Sequence, residues 1–149
     1  MFKSVRRIVT GHDAAGRSVI LSDAPPPTIV ADDVSGEGIA EVWVSAAVPE
    51  RVEPFRDGAD APITLTPDKG GVRFRLFSVA PGEDLPASAL PAAREAVREA
   101  YAGVDGADAL VDSDRHPAMH RTQTLDVVVV ISGEVTLVLD TEDVVLRAG

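Results

Sequence analysis

Five consecutive β-branched residues, Val127, Val128, Val129, Val130 and Ile131, constrain this chain more than any other feature. A run with such stiff χ1 rotamers and no turn former predicts a strand rather than a helix. It lies within MHRTQTLDVVVVISGEVTLVLDTEDVVLRAG, residues 119–149. Polar residues alternate before it. After it, Ser132-Gly133 signals a turn into two further strand-like runs, Val135 to Leu139 and Val144 to Leu146. In an extended chain, residues two apart share a face. His120, Thr122, Thr124 and Asp126 therefore point one way, with Val128 and Val130 continuing that face, while Arg121, Gln123 and Leu125 point the other. An imidazole and a carboxylate leading into an aliphatic face predict the wall of a cavity, polar at its mouth and dry below.

The rest of the chain reads mostly as further strands. Val5 to Thr10 and Arg17 to Leu21 predict a hairpin over 5–21, joined by the turn formers of residues 11–16, where His12 reads as a solvated loop histidine. Pro25-Pro26-Pro27 ends it, because three prolines remove three ladder donors. Ile39 to Ala46 predicts a third strand. Its face of Ala40, Val42, Val44 and Ala46 is small and apolar and is expected to pack inward, leaving Trp43 on the other side. Residues 49–71 have loop composition. Val72 to Val79 predicts a fourth strand, stopped by Pro81-Gly82. Arg73 and Arg75 share a face there; two arginines two apart suit bidentate binding of an anionic ligand, a solvated face, or pairing with the chain's carboxylates.

From Leu90 the apolar period changes to three and four (Leu90, Ala93, Val97, Ala100, Tyr101), predicting one helix near 89–102 that covers a sheet. Ser88 is the expected N-cap, Pro91 falls in the first turn, Gly103 closes the helix, and Glu95 and Arg98 can pair on its outer side. The aspartates at 105, 108, 112 and 114 lack the glycine and terminal glutamate of a calcium loop.

Length and composition narrow the function classes. The 149 residues suit one domain, 1–149, with a core that must be largely aliphatic because aromatics make up only 4%. A net charge of -10 offers no basic surplus for nucleic acid or an anionic membrane surface. With no cysteine, thiolate nucleophiles, disulfides and cysteine-held metals are excluded. The N-terminus lacks an apolar core of signal length, so a soluble, cytoplasmic protein is the expectation. Neither a Gly-x-Ser-x-Gly elbow nor a phosphate-cradling Gly-Lys-Ser/Thr motif is present.

His120-Arg121-Thr122, three residues, Asp126, six residues and Gly133 together resemble the first motif of the cupin superfamily. That motif has two histidines one residue apart, then a glutamate and a glycine. His120 matches the first histidine and Gly133 the glycine; Thr122 stands at the second histidine and Asp126 at the glutamate. The wider run is similar to small bacterial single-domain cupins in which these Thr and Asp variants are usual. The resemblance implies an all-β, cupin-like jelly-roll sandwich or barrel, incomplete here. In cupins a second motif, opening with glycine and supplying another histidine ligand, follows; Gly149 matches that opening glycine. The expectation is a fragment, or an edge closed by another subunit, with a homodimer favoured because a bare edge row invites pairing.

The resemblance implies a small organic ligand in the pocket and a metal-assisted oxygenase, isomerase or cyclase. His120 and Asp126 would be both the catalytic pair and the ligands of a divalent metal such as Zn, Fe or Mn, with Thr122, Thr124, Arg73 and Arg75 as ligand-binding residues. The contrasting expectation is a non-catalytic binding or assembly β-barrel that keeps a residual motif. Two ligand candidates fall short of the three or four that such metals take.

Overall fold

The computed structural model describes residues 5–48, 55–80 and 86–149. Contacts cluster the chain into two compact units, Met1–Asp84 and Leu85–Gly149, where the sequence pointed to a single domain. The expected stop at Pro81-Gly82 lies outside the described residues. The described strands form three antiparallel sheets, β1-β2, β3-β4-β5 and β6-β7, none of them closed into a barrel. The β-rich class with one long helix is as expected from the sequence.

In the first unit, β1 (Arg7–His12) and β2 (Ser18–Ala24) make the N-terminal hairpin. Asp13 organises its turn: one carboxylate oxygen accepts from the Ala15 and Arg17 amides at 2.9 Å each, and Gly16 takes a φ of 75°. His12 is not a loop residue; it ends β1 opposite Ser18, since the strand runs two residues beyond the expected Thr10. The triple proline does end β2, but a further strand, β3 (Thr28–Ala31), follows at once. Its four residues are too few to show a period in the sequence. It forms one edge of the sheet, next to β4 (Gly38–Ser45), which pairs in turn with β5 (Val72–Ser78).

The expected inward face of β4 is corrected by a bulge. The ladder pairs Glu41 with Arg75 and then Trp43 with Phe74, so Val42 is the extra residue. Alternation breaks there, and Ala40, Glu41 and Ser45 are the buried residues of the strand, while Val42 and Val44 are only half-buried. The loop from Phe55 lies across this strand. Gly58 approaches the Val44 carbonyl so closely that a Cβ would collide with it, and Thr28 Oγ1 donates to the Ala59 carbonyl at 2.7 Å.

In the second unit, α1 (Leu90–Ala102) has Pro91 in its first turn and closes at Gly103, whose amide donates to the Glu99 carbonyl at 3.0 Å. Ser88 is not the cap. Ala89 occupies that position with no side-chain bond, and the Ala89 amide instead joins a turn to the Pro86 carbonyl. Glu95 and Arg98 pair at 3.4 Å, as their spacing predicts. The helix buries no residue fully and packs on the 3-10 turn Ala107–Ala109. At the C-terminal end, the two expected strand-like runs form β6 (Glu134–Val138) and β7 (Asp143–Arg147), which pair with each other as a hairpin entered through Gly133 at a φ of 78°.

The valine block departs most from expectation. Residues 125–131 belong to no described strand, and Leu125, Val127 and Val129 are 92%, 83% and 75% exposed. On the face expected to line a cavity, Val128 is 50% exposed and Val130 is half-buried, so that face is not closed over here. β-Propensity expresses packing on a half-buried pleated surface, and among the described residues no segment supplies a ladder for it. The nearest strand in sequence, β6, is already paired through a short turn with β7.

Candidate functional site

The sequence-predicted residues of the 119–149 stretch are positioned by the end of α1. The helix winds off through Gly106, whose amide donates to the Tyr101 carbonyl at 2.8 Å, and Asp105 takes a positive φ of 53° in that turn. The chain then returns so that Leu110 and His120 form an isolated antiparallel bridge. It is flanked by bonds from the Val111 amide to the Met119 carbonyl (2.9 Å) and from the Arg121 amide to the Ala109 carbonyl (2.8 Å). This bridge sets His120 beside the last turn of α1. The Tyr101 hydroxyl stands 2.8 Å from His120 Nδ1, and the two rings meet edge to face at a centroid distance of 5.4 Å.

Tyr101 is thus a site residue that the helical period had assigned only to an apolar face. The signal was available, since a tyrosine carries a polar tip, but its partner nineteen residues later was not. Its phenol is half-buried, and that desolvation raises its pKa, so it stays protonated.

Beyond His120 the chain forms no strand and bends at Gln123 and Thr124, yet the side chains of Thr122, Thr124 and Asp126 form a hydrogen-bonded file. Thr122 Oγ1 lies 2.7 Å from Thr124 Oγ1, and Thr124 donates to Asp126 Oδ1 at 2.8 Å. Hydroxyls in series end on a carboxylate, which fixes the direction of donation as Thr122 to Thr124 to Asp126. The structure brings these three side chains together. His120 bonds instead to Tyr101 and to the Ala118 carbonyl at 3.0 Å, with no hydrogen bond to Asp126. Among the described residues no three His, Asp or Glu side chains cluster, so His120 and Asp126 do not reach a three-ligand metal site.

The loop leading into the bridge is tied down by arginines. Arg94 donates to Asp112 Oδ1 (3.0 Å) and to the Ser113 carbonyl (2.9 Å), and Arg115 reaches the Leu139 carbonyl (3.1 Å) and Asp143 Oδ1 (2.6 Å). These contacts hold residues 112–120 between α1 and the β6-β7 hairpin. His116 sits in this loop, its Nδ1 accepting from the Ala118 amide at 3.1 Å.

The two predicted arginines of β5 lie in the other unit, around a residue the sequence reading passed over. Glu41 is completely buried, and Arg75, its direct partner across the ladder, places Nη2 2.8 Å from Oε1. Arg73 is nine-tenths buried, with Nη1 at 3.5 Å from the same oxygen. Neither carboxylate oxygen receives an aligned hydrogen bond, and Arg73 Nε and Nη1 likewise have none, so the attraction is charge on charge. Arg75 also donates to the Thr64 carbonyl at 2.9 Å. Of the arrangements open to these arginines in the sequence, pairing with a carboxylate is the one found. A second pair meets the same strand β4: Arg7 bonds through Nη1 to Asp57 Oδ1 and to the Val42 carbonyl, both at 3.0 Å, and through Nη2 to Asp57 Oδ2. The Arg7 hydrogen bond holds the Asp57 carboxyl below the usual carboxylate range.

No protein-family model matches the chain, and no curated protein matches it. No helix among the described residues is long and apolar enough to cross a membrane.

Proposed function

We propose that this chain is a cupin-like protein that handles a small organic ligand, and that the ligand contacts run along residues 120–126. One observation supports this reading above the others: the side chains of Thr122, Thr124 and Asp126 form a continuous hydrogen-bonded file on the stretch that also holds His120 beside Tyr101. Such a file is ordered before any ligand arrives, which lowers the entropy cost of binding. Asp126 uses Oδ1 within the file, leaving Oδ2 to accept from a ligand hydroxyl or amide, and His120 adds an imidazole suited to hydrogen bonding or general base work. The donor set falls short of a metal centre, so the reading routes no step through one.

A calorimetric screen of small hydroxy- and amide-bearing compounds tests the reading. Hits should weaken about tenfold on Asp126→Asn or Thr124→Val, the loss of one hydrogen bond to a charged acceptor. Hits that bind both variants as tightly as wild type would sink it. Titration with Zn, Mn and Fe salts, with His120→Ala alongside, checks the metal-assisted form implied by the cupin resemblance.

A second reading, assembly, is favoured by the exposed apolar run at 125–131. An extended valine-rich segment without a ladder partner is suited to pairing with the same segment of a second copy. The mass in solution decides it: a dimer supports the homodimer reading, and a monomer at high concentration removes it.

A further inference from the structure

His116 and His120 are four residues apart, and one residue between them, Ala118, touches both rings. Its amide is 3.1 Å from His116 Nδ1, and its carbonyl oxygen is 3.0 Å from His120 Nδ1. A backbone N–H can only donate and a carbonyl oxygen can only accept. His116 Nδ1 must therefore present its lone pair to the amide. His120 Nδ1 faces that carbonyl at 3.0 Å and the Tyr101 hydroxyl at 2.8 Å; a proton on Nδ1 satisfies both oxygens, whereas an unprotonated nitrogen could accept from the hydroxyl only and would set its lone pair against that of the carbonyl. Neutral imidazole has a single ring proton, so these bonds fix the other nitrogen of each ring.

We propose that Ala118 locks the two histidines in opposite tautomers: His116 with its proton on Nε2, and His120 with its proton on Nδ1 and its Nε2 lone pair free for the ligand. Tyr101 completes the arrangement as a positioning residue. Its hydroxyl oxygen, 2.8 Å from His120 Nδ1, shares the ring proton as a second acceptor, which frees the phenol O–H to donate elsewhere. The raised pKa of the phenol agrees with this, since a neutral hydroxyl keeps both roles.

The consequence for the site is a sorting of ligands. At 120–126 the protein offers Nε2 of His120 and Oδ2 of Asp126, both acceptors, so the preferred ligand is one that presents donors: a polyol, an amide or an amine. His116 offers a donor in the same loop. This rests on the ligand-binding reading above, but the tautomers themselves are properties of the ligand-free protein and stand or fall separately.

Long-range 1H–15N correlation spectra of 15N-labelled protein, recorded where the rings are neutral, read the tautomers directly. His116→Gln and His120→Gln assign the signals. The expected spectrum shows a pyrrole-type Nδ1 and pyridine-type Nε2 for His120, and the reverse for His116, each form dominant by about tenfold for one hydrogen bond's preference. A pyridine-type Nδ1 on His120, or the same tautomer on both rings, overturns the proposal. Tyr101→Phe keeps the ring and removes the hydroxyl. The His120 tautomer should persist in it, because the Ala118 carbonyl remains; a flip to Nε2–H would show that tyrosine rather than Ala118 held the proton. Ligand screening that fails while the spectrum holds would count against the function alone.

Discussion

The two units of this protein differ in what they bury. Among the described residues, every buried side chain lies in the first unit, and three of them are polar or charged: Arg7, Glu41 and Ser45. Among the described residues of the second unit the only buried position is Gly106, and the run 125–131 is largely exposed. The first unit buries charge beside its few buried aliphatic residues; both units expose large apolar side chains, and the second does so in one continuous run. The contrast shows that hydropathy does not by itself choose the inside; the available partners do. Glu41 can be buried because Arg75 stands opposite it in the ladder and Arg73 lies two residues on along the same strand. Val127 to Ile131 cannot be buried within its own unit without a strand to lie against.

The largest expected effect attacks the charged side of this comparison. Glu41→Gln leaves two arginines deep in the first unit without their carboxylate and should destabilise it by about 3–5 kcal/mol in a denaturant titration. A triple replacement by Leu at 41 and Met at 73 and 75 removes the whole cluster and should cost less than the single change. If Glu41→Gln proves as stable as wild type, the buried cluster is not what holds β4 to β5.

Next in size is the Arg7–Asp57 pair. Asp57→Asn should cost about 2 kcal/mol, the scale of hydrogen bonds to a charged group. The pH dependence follows from its depressed folded-state pKa. The stabilisation is fully present above the ordinary carboxylate value near 4 and is lost as pH falls through the folded value. Wild type should therefore lose its advantage over Asp57→Asn on acidification. An advantage that stays constant down to pH 2 would show that the pair is not linked to folding.

The smallest effect on folding is expected where the second unit exposes its valines. Val127→Thr with Val129→Thr should change stability by no more than about 0.5 kcal/mol, since neither side chain is buried. The same double variant should abolish self-association if that run pairs with a second copy. A large loss of stability in a monomer would show instead that the valines are covered within the chain.

These contrasts also explain what could be read in advance. The 5–21 hairpin, the strand-like runs at 135–139 and 144–146 and the helix were legible because turn formers and apolar periods are local: Gly16 takes a positive φ in its turn, and Leu90 to Tyr101 recurs at three and four. The shared face of Thr122, Thr124 and Asp126 follows from a two-residue repeat, and their side chains do bond in file. Glu41 was missed because a bulge at Val42 broke the alternation, and bulges leave no period behind. Tyr101 was missed as a partner of His120 because that contact depends on a chain reversal through Gly106 and the bridge at Leu110.

The sequence by itself determined the helix, the 5–21 hairpin and the strands near 39–46, 72–79, 135–139 and 144–146, because backbone sterics and side-chain periods act over a few residues. Tertiary structure alone decided that a glutamate is buried between arginines, that the valine block stays exposed, and that the Tyr101 hydroxyl meets the His120 ring. Those outcomes depend on desolvation and on hydrogen-bond partners brought from elsewhere in the chain, and no local pattern encodes who those partners will be.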